Sequence, residues 1–299
     1  MELIHLRYFE KAAELQNITK AAAELQISQP SLTKIIKILE NELRYDLFDR
    51  KGKYVVLNEN GTIFLKYVKQ VFQTLNSAAL ELDDHNERKN NAATISVMAA
   101  GKFLPQIIIG FKNLHPDFKI DIKMIEGDQI EDTTCDLMLI TTLDRQDRPN
   151  EITLYREKIV AVLPKTHPLA ERNRIRLYEL KDQEFISTKM DSAFRKIVEL
   201  YCQNAGFTPN IIIASEYATV IKSLVQSGIG IALMPEYTWE EGADAHLSFI
   251  QIEEPECFRY IKLIWQPGSY ISKSVDIFRS YLINFFEHLK SNNLSETER

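Results

Sequence analysis

Gln29, Thr33 and Lys37 follow one another at intervals of four near the start of the chain, with Pro30, Ser31 and Lys34 set among them. On a helix, residues four apart lie one above another, so an amide, a hydroxyl and an ammonium would project from a single face. These groups can read base edges. Glutamine pairs bidentately with adenine, threonine meets a base edge or the thymine methyl, and lysine reaches guanine or a phosphate. The same row is also what an ordinary solvated helix face looks like. The elements that must position it decide between the two readings.

A helix at this place is firmly specified. Ser28 is placed to cap it, and Pro30 falls in its first turn, where a missing N–H costs nothing. Leu32, Ile35, Ile36, Leu39 and Leu43 form one apolar stripe on the other side. Upstream, Thr19 is expected to cap a short helix, "KAAAELQ", whose alanines permit close approach, and "QIS" makes the turn. Downstream, "LFDRKGKYVVLN" reads as a hairpin whose tip carries Arg50, Lys51, Gly52 and Lys53, the shape of a wing that grips backbone or minor groove. Residues 1–58 hold nine basic and eight acidic side chains, but six of the nine basic ones lie between Lys34 and Lys53. Focused charge suits specific binding to a polyanion, and the net charge of -6 argues against general coating of nucleic acid.

A long amphipathic helix is predicted from about Glu59 to Arg88. Phe64, Val68, Val71, Leu75, Ala78 and Leu82 are spaced 4, 3, 4, 3 and 4 along it, a heptad seam. A helix of about thirty residues is roughly 45 Å long, more than one small domain can cover. The same helix of a second copy is the simplest partner, and packing along the chain's own later region is the alternative.

The polar run "HNERKNNAA" has no apolar period and reads as a linker. From Thr94 onward, short β-rich runs alternate with helical stretches, which predicts an α/β region with mainly parallel strands. A closing helix over 272–290 places Val275, Phe278, Leu282 and Phe286 on one face, and the tail is expected to be disordered.

With 299 residues, 45% of them apolar, the chain has material for two or three units. No apolar run approaches the eighteen residues of a membrane span, and Glu2, Arg7, Glu10 and Lys11 occupy the start, so a cytoplasmic protein without membrane contact is predicted. Cys135, Cys202 and Cys257 are too few and too scattered for a disulfide framework and read as buried free thiols. An enzyme is disfavoured. Ser187 and Ser192 lie in no G-x-S-x-G elbow, the six histidines have no metal spacing, and no G-x-G-x-x-G follows a strand, so neither a metal nor a cofactor is expected. A solute-binding transport protein is the other rival, and the first 90 residues count against it.

The stretch "LRYFEKAAELQNITKAAAELQISQPSLTKIIKILENELRYDLFDR" resembles the winged helix-turn-helix of the LysR-type transcriptional regulators almost position for position. "GFKNLHPDFKI", "KTHPLA" and "SLVQSGIGIALMP" follow in that family's order, so the resemblance covers nearly the whole chain. It implies an N-terminal winged helix-turn-helix over 1–58, a dimerisation helix over 59–88 and a hinge at 89–92. Two Rossmann-like subdomains resembling a periplasmic solute-binding protein would follow, one over 93–163 and 268–291, the other over 164–267, before a disordered tail at 292–299. Gln29, Pro30, Ser31, Thr33 and Lys34 would approach bases or phosphates beside Lys37, with Arg50 and Lys53 on the wing. Lys34 stands where the family usually has arginine, and lysine lacks the bidentate fork.

The resemblance further implies an effector in the cleft between the subdomains, where helix N-termini suit an anion. By position, Ala100, Gly101, Lys102, Thr141, Thr142, Ser187, Thr188, Ser192 and Glu216 would surround it. Lys102 is read either as the cation that fixes the anion or as a solvated surface lysine. The run "DQIEDTT", 128–134, is short for the usual crossover helix, and a reshaped pocket is expected on that side. The implied partners are double-stranded promoter DNA, further copies of the chain in a homodimer or homotetramer, and RNA polymerase.

Overall fold

Ala12, Ala13, Ala21 and Ala22 are almost wholly buried, which lets three short helices approach closely enough to share one small core. In the computed structural model, which describes residues 1–51, 54–86, 91–123, 135–239, 246–266 and 268–297, these helices open the first of two units. That unit comprises Met1–Arg88 and Gly268–Tyr270. It contains α1 (Leu3–Leu15), α2 (Ile18–Glu24), α3 (Gln29–Leu43), the hairpin of β1 (Phe48–Lys51) and β2 (Tyr54–Leu57), and α4 (Glu59–His85). The cap of α2 is Asn17, whose side chain accepts the N–H of Lys20 at 3.0 Å, and not Thr19 as expected. Asparagine two residues earlier does the same work. Asn58 caps α4 by accepting the N–H of Gly61 at 2.9 Å, and a Cβ on Gly61 would collide with the Leu47 carbonyl and the Leu57 side chain.

The expected seam on α4 is divided. Val68 is buried and Phe64 packs its ring 5.1 Å from that of Phe9, so both belong to the helix-turn-helix core. Val71, Leu75, Ala78 and Leu82 are exposed, and Ile63 and Tyr67 continue their stripe toward the start of the helix. Over the first two turns the exposed apolar positions thus lie one residue before the expected Phe64 and Val68, which the core claims.

The second unit, Lys89–Pro267 with Ile271–Arg299, is built on a mixed sheet. Its elements in chain order are β3 (Ala92–Val97), α5 (Leu104–Leu114), β4 (Lys119–Lys123), β5 (Leu137–Thr142), β6 (Glu151–Pro164), β7 (Arg174–Arg176), β8 (Glu184–Ser187), α6 (Ala193–Asn204), β9 (Asn210–Ala214), α7 (Ala218–Gln226), β10 (Ala232–Pro235), β11 (Leu247–Glu254), β12 (Phe258–Trp265) and α8 (Lys273–Thr297). The strand order is β4-β3-β5-β12-β6-β11-β7, with β10 also on β6 and a separate pair of β8 and β9. Parallel pairs were expected to dominate. Among the described residues of this unit, four pairs are parallel, and the four antiparallel ones all involve β6 or β12, which cross between two lobes.

β6 carries the division. Its first half, to Lys158, pairs with β12, and from Ile159 it pairs with β10 and then β11. In lobe I, α5 and α8 cover the sheet, with Phe111 and Phe278 rings 4.7 Å apart and Leu282 and Phe286 fully buried; each such side chain contributes about 2–3 kcal/mol. In lobe II, α6 lies over Ile159, Ala161 and Leu163, while α7 lies over Val160 and Val162 on the other face. Strand alternation thus gives one strand two cores.

Three boundaries differ from expectation. β12 pairs with β5 from Tyr260 onward, so that part of it joins the sheet of lobe I and not a second subdomain ending at 267. β3 begins at Ala92, inside the expected hinge, of which Lys89 and Asn90 lie outside the described residues. The backbone of α8 stays helical to Thr297 where a disordered tail was expected, since no glycine or proline follows Lys290 to stop it. The short run 128–134 lies outside the described residues. No helix of the described residues is long and apolar enough to cross a membrane.

Candidate functional site

Two sets of residues carry chemistry, one in each unit. In the first unit, Ser28 caps α3 by accepting the N–H of Ser31 at 3.3 Å, and Pro30 sits in the first turn. Leu32, Ile36 and Leu39 are buried. Gln29, Pro30, Ser31, Lys34 and Lys37 are consequently exposed together, and Thr33 is half-buried among them. The Thr33 hydroxyl donates to the Gln29 carbonyl at 3.0 Å, so it presents a methyl and lone pairs but not its proton. The hydroxyls of Ser28 and Ser31 pair at 2.7 Å. Arg50 lies in β1 with its side chain outside the described residues, and Lys53 lies outside them altogether.

In the second unit, the nine positions named from sequence fall at strand ends and the turns that follow. Ala100 is buried with φ 61 and ψ 23, a left-handed turn three residues beyond β3 that leads into a single 3-10 turn at Gly101–Phe103. An alanine held there costs about 1–2 kcal/mol of backbone strain. Gly101 and Lys102 are exposed beyond it, and the Lys102 ammonium donates to the Tyr237 carbonyl at 3.2 Å. Thr141 is buried at the end of β5 and accepts from Nη1 of Arg259 at 3.4 Å. Thr142 accepts the N–H of Asp144 at 3.0 Å. Ser187 and Thr188 are buried, and the Thr188 hydroxyl lies 2.7 Å from that of Ser192, the N-cap of α6, which accepts the N–H of Arg195 at 3.1 Å. Glu216 is exposed and paired with Lys189, which is not one of the other eight.

The structure adds residues that spacing did not reveal. Arg259 and Glu157 are buried and joined at 2.9 Å, Thr238 bonds to both, and the guanidinium lies 5.1 Å from the Phe194 ring. Burial pushes the pKa of Arg259 below its ordinary value, and the Glu157 carboxylate opposes that shift. The pair is 102 residues apart in sequence, but one signal was present. Each sits at the core parity of its strand, Glu157 with Tyr155 and Ile159, Arg259 with Ile261 and Leu263.

A three-helix unit with a short hairpin and an exposed polar helix face, linked to two lobes crossed by shared strands, is the architecture of a ligand-responsive DNA-binding regulator. Residues 3–62 match the model of the bacterial regulatory helix-turn-helix proteins of the lysR family, and residues 93–287 match that of the LysR substrate binding domain. The chain belongs to the LysR family of transcriptional regulators. It is 30% identical over 293 residues to the uncharacterized HTH-type transcriptional regulator YybE of Bacillus subtilis (strain 168), covering 96% of this chain and 99% of that one. It is 29% identical over 298 residues to the transcriptional dual regulator GltC of the same organism, covering 97% and 99%. Full-length OxyR from Pseudomonas aeruginosa shares the fold, with a TM-score of 0.66 at 21% identity over 94% of each chain.

Proposed function

We propose that this regulator binds a promoter palindrome as a homodimer or homotetramer, with α3 of each copy in a major groove, and that an anionic small molecule held at the strand ends between the lobes switches it. RNA polymerase would read the switch. The effector subdomains of this reading are lobe I, which is 93–163 with 268–291 and also β12, and lobe II, which is the remainder of 164–267.

The polarity of the hydroxyls carries the anion reading. A hydroxyl has one proton and two lone pairs. Thr141 and Thr142 each accept from a protein N–H, which leaves each proton to be donated. Whichever way the Thr188–Ser192 bond runs, one proton of that pair remains. With the Lys102 ammonium these groups form a set of donors, which fits carboxylate or phosphate oxygens and not another donor. For Lys102 this favours the anion-binding role over that of a solvated surface lysine.

A thermal-shift screen of carboxylic acids, amino acids and phosphorylated acids tests the reading. The right acid at a hundredfold excess over its dissociation constant stabilises by about 2.7 kcal/mol, and Lys102→Ala weakens that response. If no acid raises the melting temperature and Lys102→Ala behaves as the parent in a promoter-reporter assay, the anion reading is rejected.

A further inference from the structure

Glu157 and Arg259 face each other in the register of β6 and β12, one pair before the strands part. Lys158 is the last residue of β6 on β12, and Ile159 is the first on β10. Both charged side chains are at most 1% exposed. The carboxylate accepts the N–H groups of Tyr237 at 2.8 Å and Thr238 at 2.6 Å, the Thr238 hydroxyl at 3.0 Å, and Nε of Arg259 at 2.9 Å. Arg259 in turn gives Nη2 to the Thr238 hydroxyl at 2.6 Å and Nη1 to Thr141 at 3.4 Å.

A buried ion pair contributes little net stability, because desolvation offsets the attraction, and an apolar pair of equal volume would fill the place as well. What it does supply is direction. Its bonds tie the turn after β10, in lobe II, to the two crossover strands, and its one long bond reaches Thr141 at the end of β5, in lobe I. Lys102, also in lobe I, holds the carbonyl of the same turn at Tyr237.

We propose that the Glu157–Arg259 pair is the pivot that sets the angle between the lobes, with Arg259 as a positioning residue that joins Thr141 to the Tyr237–Thr238 turn. A ligand that takes the Thr141 proton and draws Lys102 from the Tyr237 carbonyl acts on that turn from lobe I, beside the packing of the Tyr237 ring on Tyr155, and the lobes rotate about the clamp. The trigger rests on the anion reading, whereas the pivot itself does not.

The test uses the full chain with spin labels at Asn113→Cys on α5 and Gln203→Cys on α6, both exposed positions, while the three native thiols are buried. The distribution of distances between the labels is measured without ligand. Thr238→Val removes the shared hydroxyl at nearly constant volume, and Arg259→Lys keeps the charge but loses the fork. Both should widen the distribution. Leu282→Ala, in the α8 core and away from the pair, should lower the melting temperature and leave the distribution as in the parent. A parent-like distribution in Thr238→Val, or equal widening in Leu282→Ala, overturns the pivot; if Arg259→Lys does not fold, Thr238→Val decides alone. An empty acid screen leaves a widened distribution standing, so the two readings fail separately.

Discussion

At the scale of single residues, what sequence shows is which side chains an element exposes, and what it hides is which of them are already engaged. The row Gln29, Thr33 and Lys37 was legible because helical spacing alone sets it. That the Thr33 hydroxyl is turned back onto the Gln29 carbonyl was not, since several rotamers are open to it. The cysteines show the opposite case, where a scattered count implied buried free thiols and the structure has them so. Burial pushes Cys202 up to about 12, with Glu199 adding to it, and pushes Cys257 up to about 12, with Cys202 and Glu256 adding. At neutral pH about a thousandfold less thiolate is present than for a free cysteine. Ellman's reagent at pH 8 should therefore leave both thiols unmodified in the folded protein and titrate them in denaturant; rapid modification of either without denaturant would refute this. Because both folded values are raised, the stabilisation is complete below the ordinary thiol value and is lost as pH climbs from there toward about 12.

Among the elements, helices were the easier to place and their partners the harder. The period of α4 was plain, but which face met its own domain depended on Phe9, far away in sequence, drawing Phe64 into the core. The stripe of Ile63, Tyr67, Val71, Leu75 and Leu82 is left exposed, from 39% at Val71 to 62% at Leu82, and is the face on which the proposed pairing of two copies would rest. A charge at the middle of that stripe and a truncation in the core should act differently. Leu75→Glu is expected to turn the oligomer into a folded monomer in sedimentation experiments, whereas Val68→Ala is expected to lower stability by about 2 kcal/mol in urea with the oligomer intact at low denaturant. An oligomer unchanged by Leu75→Glu would remove α4 from the interface. For strands, the alternation over "RYIKLIW" placed a cation among core residues, yet nothing local named Glu157 as its partner.

For the whole molecule, the surplus of acidic residues and the binding of a polyanion are compatible because the cations are gathered on one short stretch. Two copies bringing Lys34, Lys37, Arg50 and Lys53 to phosphate should give a log affinity that falls against log salt with a slope of about -5 to -8. Replacing Gln29, Thr33 and Lys34 together by alanine should abolish preference for the promoter fragment over random DNA in fluorescence anisotropy while keeping most of that slope. Retained preference in the folded variant would move recognition elsewhere. Chain order and the α/β alternation were readable at this scale, but the lobe boundary was not, because a strand that serves two sheets has no break in its sequence. β6 runs from Glu151 to Pro164 without interruption and holds β12 on one half, β10 and β11 on the other. A cut at 163 would leave lobe I carrying an unpaired apolar strand and lobe II without its centre. In chimaeras, and in any exchange of ligand preference between relatives by recombination, the piece that can be moved is therefore the two-lobed body entire.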